Sequence, residues 1–538
     1  MPPSHSLKKR FIYKLGGNFA ALALGVIALA VVPRVLGPTD FGRFEFLTAN
    51  FKLVLDTLAL QLPVAYFNWI SRKGHKEDTD YATGLTFYWT IGITSLFGIL
   101  IYAAIQFGIS DWLWPDVQVR YLWYALAFTF VVSFYQLCIS LADGRALTVG
   151  LEKIRLVQNV LKTAGILLLF GWGLLTLSSY FLVQSAVVCF SIIASIVWLA
   201  SRKALSARLL KFWSAEKAEK VKFHQFAISY TQPLIITMLV GFVFLYFDRW
   251  FLQIIAGSSQ QGYFALSERL GTVVFIFTSA MTPLIMREFA FAYEERDMAR
   301  LSGLFERIKI FIFIATVAGC FMSVQSKAIV MLFAGDKYSE AIIPVAIMAL
   351  FPIHQTFGQL SGSLLVATGQ TRLYANLAIA VMVVSAPMAY FLLASPDFLI
   401  PGLALGATGL AIKMVLIQFL GTNIQLYFNT KFLGTSFQQW LVLQVKVIGI
   451  VYSIALIAYF TSGYISSAIL LSLNTYSITQ SLFDAVIRLA ISGLLYVMLI
   501  VAILAVAPNL FGIEKRDLTS LFGKLSPEAL KISLGPKC

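Results

Sequence analysis

The chain has 538 residues, 59% hydrophobic and 12% charged, with 41 Lys+Arg against 26 Asp+Glu for a net charge of +15. Soluble domains carry about 25% charged residues and need them at the surface, so a soluble globular protein is excluded, and so are a disordered chain and a disulfide scaffold. A mean hydropathy of +0.81 marks an integral membrane protein, and basic residues scattered between apolar runs exclude a nucleic-acid binder.

A spanning helix needs about 20 mostly apolar residues. Lys8, Lys9, Arg10 and Lys14 precede an apolar stretch containing Ala28-Leu29-Ala30, which resembles a secretory leader; the run continues to Leu36, long enough to span, and reads as a retained first helix at 15–36. Further spans are predicted at 44–70, 83–108, 119–142, 156–175 and 178–200. A basic segment, 201–225, then divides the chain and reads as a solvated linker lying on anionic lipid. Beyond it come 226–256, 262–290, 308–334, 341–368, 373–394, 399–428, 439–461 and 485–507, about fourteen spans in all, and a tail at 508–538. With the N-terminus placed in the cytoplasm and the spans alternating, 29 Lys/Arg fall in cytoplasmic segments and 4 outside. The positive-inside rule therefore predicts an even number of helices with both termini cytoplasmic.

An internal repeat crosses the linker. Leu36-Gly-Pro-Thr-Asp-Phe-Gly42-Arg-Phe44 matches Ala256-Gly-Ser-Ser-Gln-Gln-Gly262-Tyr-Phe264 at an offset of 220, and Pro63 falls on Pro283. Ala142-Asp-Gly144-Arg145 matches Ala367-Thr-Gly369-Gln370 at 225. The expected fold is all-α: two pseudo-symmetric six-helix lobes, 1–200 and 226–430, as parallel repeats around a central cavity, with two further helices at 431–507.

The stretch Val32-Pro-Arg-Val-Leu-Gly-Pro-Thr-Asp-Phe-Gly-Arg-Phe44 resembles the first helix and outer loop of Wzx-type polysaccharide flippases, members of the multidrug/oligosaccharidyl-lipid/polysaccharide (MOP) exporter superfamily. Asp248-Arg249-Trp250-Phe251-Leu252 leading to Gly262-Tyr-Phe264, Thr282-Pro-Leu-Ile-Met-Arg-Glu-Phe289, and Phe351-Pro-Ile-His-Gln355 followed by Ala367-Thr-Gly-Gln-Thr371 fit the same pattern. The resemblance covers roughly residues 7–430; the last helix pair departs from the common twelve-helix form. It implies translocation of a polyprenyl-diphosphate-linked oligosaccharide across the bacterial inner membrane, with no catalysis and no cofactor. H+ or Na+ are candidate coupling ions, and polymerase or export machinery are candidate partners.

Independently of that resemblance, charges inside spans carry a physical case, because each costs about 2.5–3.5 kcal/mol at a helix centre facing lipid. Lys52, Lys162, Arg249, Arg269, Lys327, Lys413, Lys446 and Arg488 lie within or at the ends of spans, accompanied by Asp56, Asp248, Glu268 and Asp484. Asp484, Arg488 and Lys446 read as end-snorkelling. Arg34, Lys52, Lys162, Arg249, Arg269, Lys327 and Lys413 are the candidate cationic cavity for a diphosphate head group; Asp56, Asp248 and Glu268 are the candidate ion-coupling acids. Lys52 and Asp56, spaced i,i+4, share one helical face.

Other signals are poor. Cys138, Cys189 and Cys320 fill apolar runs and Cys538 ends the chain; His5, His75, His224 and His354 are isolated, so no metal site is expected. His354 reads as a hydrogen-bonded packing residue, Gly358-x3-Gly362 and Gly402-x3-Gly406 as close helix packing, and Trp112 and Trp114 as an interfacial belt. Two alternatives stand beside the flippase. An exporter of small cations would want unpaired carboxylates in helices one or seven, and a membrane-embedded polymerase or glycosyltransferase would want a sizeable charged outside loop.

Overall fold

The computed structural model of the chain describes residues 7–73, 79–205, 212–213, 215–472 and 480–512. His5, His75, Cys538, the tail from 513 onward and the side chain of Asp484 lie outside the described residues. Among the described residues every regular element is helical. In chain order these are α1 (Leu7–Leu58), α2 (Leu62–Lys73), α3 (Asp80–Gln106), α4 (Ser110–Leu113), α5 (Val119–Gly144), α6 (Thr148–Gly171), α7 (Leu177–Ser201), α8 (Lys217–Gly271) and α9 (Phe275–Glu294). They continue with α10 (Met298–Glu306), α11 (Lys309–Val324), α12 (Ser326–Phe333), α13 (Ile342–Met348), α14 (Phe351–Ala367), α15 (Thr371–Leu393), α16 (Gly406–Leu433), α17 (Phe437–Ser472) and α18 (Gln480–Val506).

Twelve helical runs among the described residues are long and apolar enough to cross a membrane, against about fourteen expected. The first and second expected spans share the single run α1, and the seventh and eighth begin within the single run α8. Each run is broken at one residue, Gly37 (φ 73, ψ 173) and Gly257 (φ 79, ψ −179). That extended, positive-φ conformation is essentially restricted to glycine. The expected loop 36–44 is therefore a one-residue corner. Pro38, whose fixed φ suits a first helical position, restarts the helix, with Thr39 and Asp40 in its opening turn.

The described chain forms two compact units. The first comprises Met1–Leu266, Phe333–Ala341 and Met382–Lys413. In it α1 packs on α5 and α6, and α5 on α3 and α7; Tyr66, Tyr81, Cys138, Leu141, Leu199 and Phe223 form a buried core. Polar residues inside apolar helices satisfy themselves locally: Thr83, Thr86, Thr90 and Thr94 form a buried stripe on α3, each hydroxyl donating to the carbonyl four residues back at 2.7–3.0 Å. Between α6 and α7 the turn is short because Thr176 opens α7 with a capping box shared with Ser179.

The second unit comprises Ser267–Leu332, Ile342–Val381 and Met414–Cys538. There α9 packs on α14, and α11 on α14 and α17, with α18 against α17. Phe289, Phe305, Phe357, Trp440 and Tyr496 anchor its core. Gly358 on α14 lets α16 approach: a Cβ there would lie 2.6 Å from Thr422 Oγ1. Gly402 and Gly406, by contrast, are not a helix-packing pair; they lie in and at the end of the connection leading into α16, with Gly406 at φ 53.

Candidate translocation site

Within the first unit the two halves of the sequence repeat meet at their corners. Thr39 Oγ1 and Ser259 Oγ, equivalent positions 220 apart, hydrogen-bond to each other at 2.8 Å. A Cβ on Gly42 would fall on the carbonyl oxygen of Ser258, and one on Gly262 would fall on that of Pro38. Pro38 and Ser258 are themselves equivalent at the same offset, so each corner presses its second glycine on the other's helix start. This reciprocity is the geometry of a local two-fold axis. Phe41 and Tyr263 both pack against the buried ring of Tyr338, with centroids 6.5 and 5.8 Å away.

Charge is arranged differently around the two corners. Beside the first, Arg43 donates from Nη2 to Asp116 Oδ1 and from Nε to the Asp116 carbonyl, both at 2.7 Å, and from Nη1 to Asp40 Oδ1 at 3.0 Å. Asp116 sits in the left-handed region at φ 60. Burial pushes its pKa up, but hydrogen bonds from Ser258 and the Arg43 guanidinium outweigh this and hold the carboxyl below the usual carboxylate range. Gln253 Nε2 reaches Pro115 O at 2.8 Å and Ser258 Oγ at 2.7 Å, and Trp250 Nε1 donates to Trp112 O at 3.0 Å. The segment 112–116 is thus tied to both corners. Trp112 pairs edge-on with Trp250 at 4.9 Å. Trp114 is buried against Phe51 rather than placed in an interfacial belt, because the apolar side of the corner needs a filler.

Beside the second corner, Asp248 of α8 and Lys413 of α16 form a buried ion pair, with side chains only 9% and 4% exposed. Next to it the Arg249 guanidinium lies 4.7 Å over the ring of Phe264, and Arg249 and Gln261 are bound both through side chains and through the Arg249 carbonyl. Gln260 Oε1 accepts from the backbone N–H of Ala407 at 2.8 Å, filling a donor left open at the start of α16.

The other sequence-derived candidates are placed as follows. Lys52 and Asp56 form their i,i+4 ion pair on α1, both more than half exposed. Arg34 is half-buried near Gly335, and Lys162 is half-buried on α6. Glu268, Arg269 and Lys327 belong to the second unit, with Lys327 exposed at the start of α12. His354 is buried as expected, edge-on to Phe419 at 4.9 Å. Its ring faces the Gln444 side chain, and its carbonyl accepts from Thr422 Oγ1 at 2.9 Å. Sequence reasoning missed the Arg43–Asp116–Ser258 network, since Arg43 and Asp116 read as separate loop charges. Among the described residues no group of His, Cys, Asp and Glu is arranged to hold a metal.

Residues 7–287, just over half the chain, match the family described as polysaccharide biosynthesis protein. No curated protein matches the chain. Among solved structures the fold is similar to the lipid II flippase MurJ in an inward closed conformation, at 12% identity over 92% of this chain and 99% of that one, TM-score 0.66. It is also similar to an inward-facing multidrug resistance MATE family transporter of the MOP superfamily (14% identity, 77% and 96% covered, TM-score 0.61). A MOP superfamily transporter from Pyrococcus furiosus matches at 14% identity over 79% and 94%, TM-score 0.52. At these identities the likeness is one of fold. The chain belongs to the polysaccharide biosynthesis protein family and is a multi-pass membrane protein whose fold is similar to those of MurJ and of MOP superfamily transporters.

Proposed function

We propose that the chain is a flippase that moves a polyprenyl-diphosphate-linked oligosaccharide from the inner to the outer leaflet of the bacterial cytoplasmic membrane, by alternating access of two six-helix lobes with both termini in the cytoplasm. The observation that carries this reading is the family match over residues 7–287 on a MOP fold. The excess of intramembrane cations supports it, since a diphosphate head group needs positive charge along its path. No covalent step is assigned to the protein. The candidate cations sort by company: Lys413 is neutralised by Asp248, and Lys52 is held by Asp56 on an exposed face. Lys52 is thus the cation best placed to change partners, whereas Lys413 serves the fold. Export of small cations is less well supported, because the carboxylate in the seventh span, Asp248, is engaged with Lys413.

Depleting the protein should leave lipid-linked oligosaccharide accumulating on the cytoplasmic side while polymer export stops, read by enzymatic labelling of inverted and right-side-out vesicles. Lipid-linked repeats that were never made would replace the reading with a synthase or transferase. For the site, Lys52→Asp with Asp56→Lys should restore protein level while export stays at least about tenfold down, a difference of roughly 1.4 kcal/mol in the transport barrier. Full export by the swapped protein would make the pair merely structural.

A further inference from the structure

The second unit contains a cavity of about 240 Å³ between α9, α10 and α11. Its walls are apolar: Met281 and Ile285 of α9, Leu304 of α10, and Ile308 and Phe311 at the start of α11. An apolar cavity of about 150 Å³ already stays dry and takes up small hydrocarbons, so this larger one suits several carbons of a lipid chain. Two charges of opposite sign complete the lining, Glu288 and Arg307. Glu288 is joined through Oε2 to Arg300 at 3.2 Å, and Arg300 also binds Glu295 at 3.0 Å. Arg307 is exposed, and no carboxylate among the described residues pairs with it. The charged segment 287–309 runs directly into the apolar stretch of α11, which sets the mouth of the cavity at the depth where a spanning helix meets head groups.

An apolar slot with a cation and an anion at its mouth matches a zwitterionic lipid, and hydrogen bonding to the carboxylate favours one whose amine carries protons. We infer that this cavity binds an aminophospholipid of the phosphatidylethanolamine type, its chain against Ile285 and Phe311, its phosphate on Arg307 and its ammonium on Glu288. Charge-assisted hydrogen bonds at both ends would select it. A lipid with a phosphate and no amine places only negative charge beside Glu288, and is disfavoured there. The site is independent of the identity of the transported molecule.

The full-length protein, purified in mild detergent and stripped of lipid, should be offered phosphatidylethanolamine and phosphatidylglycerol of the same chains, with retained lipid counted by native mass spectrometry. Phosphatidylethanolamine should be retained about tenfold over phosphatidylglycerol, a discrimination of the size expected for one charge-assisted contact. Ile285→Trp, which fills the slot, and Arg307→Ala should each cut retention at least about fivefold, while Arg307→Lys keeps most of it. Glu288→Gln should bring the two lipids level. Equal retention of both lipids by the unaltered protein, a preference for phosphatidylglycerol, or unchanged retention in both Ile285→Trp and Arg307→Ala would overturn the assignment. If Ile285→Trp does not fold, the exposed Arg307→Ala and Arg307→Lys pair decides.

Discussion

The corners at 37–44 and 257–264 share a backbone and little else. Both turn at a glycine with φ between 70° and 80° and ψ near 180°, and both press a second glycine on the opposite helix start. Their side chains diverge. Asp40 and Arg43 build a half-exposed ion network with Asp116, whereas the equivalents Gln260 and Tyr263 cap α16 and pack on Tyr338. Phe44 sits in an aromatic nest with Tyr180 and Phe181 at 4.6 and 4.8 Å; Phe264 lies under a guanidinium. The corner is fixed by where a Cβ cannot go. Charge is then free to differ, exposed at one corner and buried near the other.

Three sets of substitutions would break or sharpen that contrast. The largest effect belongs to the buried side. Lys413→Met strands Asp248 inside the protein and should cost about 3–5 kcal/mol, seen as a steep fall in the thermal unfolding midpoint in detergent. Asp248→Asn with Lys413→Met should recover most of it, since two neutral groups carry no uncompensated charge. Failure of the double variant to recover would show that the pair holds more than its own balance.

Next come the reciprocal glycines. Gly42→Ala and Gly262→Ala each drive a methyl onto a backbone carbonyl, so each should cost roughly 1–3 kcal/mol. Because each glycine presses on its counterpart's helix start, the two losses should be equal within error, and the double variant should cost less than their sum. Unequal losses in unfolding experiments would deny the local two-fold axis.

The smallest effect belongs to the exposed network. Arg43→Gln should cost no more than about 1 kcal/mol at neutral pH. Asp116, whose carboxyl is held below its usual range in the folded protein, contributes stability that is present above the ordinary carboxylate value and lost as pH falls through the lower folded one. Removing the guanidinium should raise the folded value, so that the loss is smaller and is complete at higher pH, followed by the fluorescence of the neighbouring Trp112. An acid end of the loss that does not move would assign the lowered value to Ser258 alone.

Features set by nearby residues were legible in the sequence. The offset of 220 identified Gly37 and Gly257, because only glycine adopts their conformation, and the Lys52–Asp56 pair followed from helical periodicity. The second repeat match was two residues out. α5 and α14 end at Gly144 and Ala367, an offset of 223, and their left-handed residues are Ala146 and Gly369; alanine in that position carries no glycine signal. The Asp248–Lys413 pair was not legible as a pair, since apolar patterning says which residues are inside a membrane but not which distant one they meet. Trp114 went astray for a related reason: an amphipathic ring reads alike at an interface and in a core.

The separation of Asp248 and Lys413, 165 residues along the chain, sets a timetable for biogenesis. Translation at about 5–20 residues per second delivers α8 to the membrane roughly 10–30 s before the lysine that neutralises its carboxylate has been made. Throughout that interval a segment destined for a dry interior must be sheltered by the insertion machinery, by water or by lipid head groups. A chain stalled before α16 is therefore left with an orphaned acid.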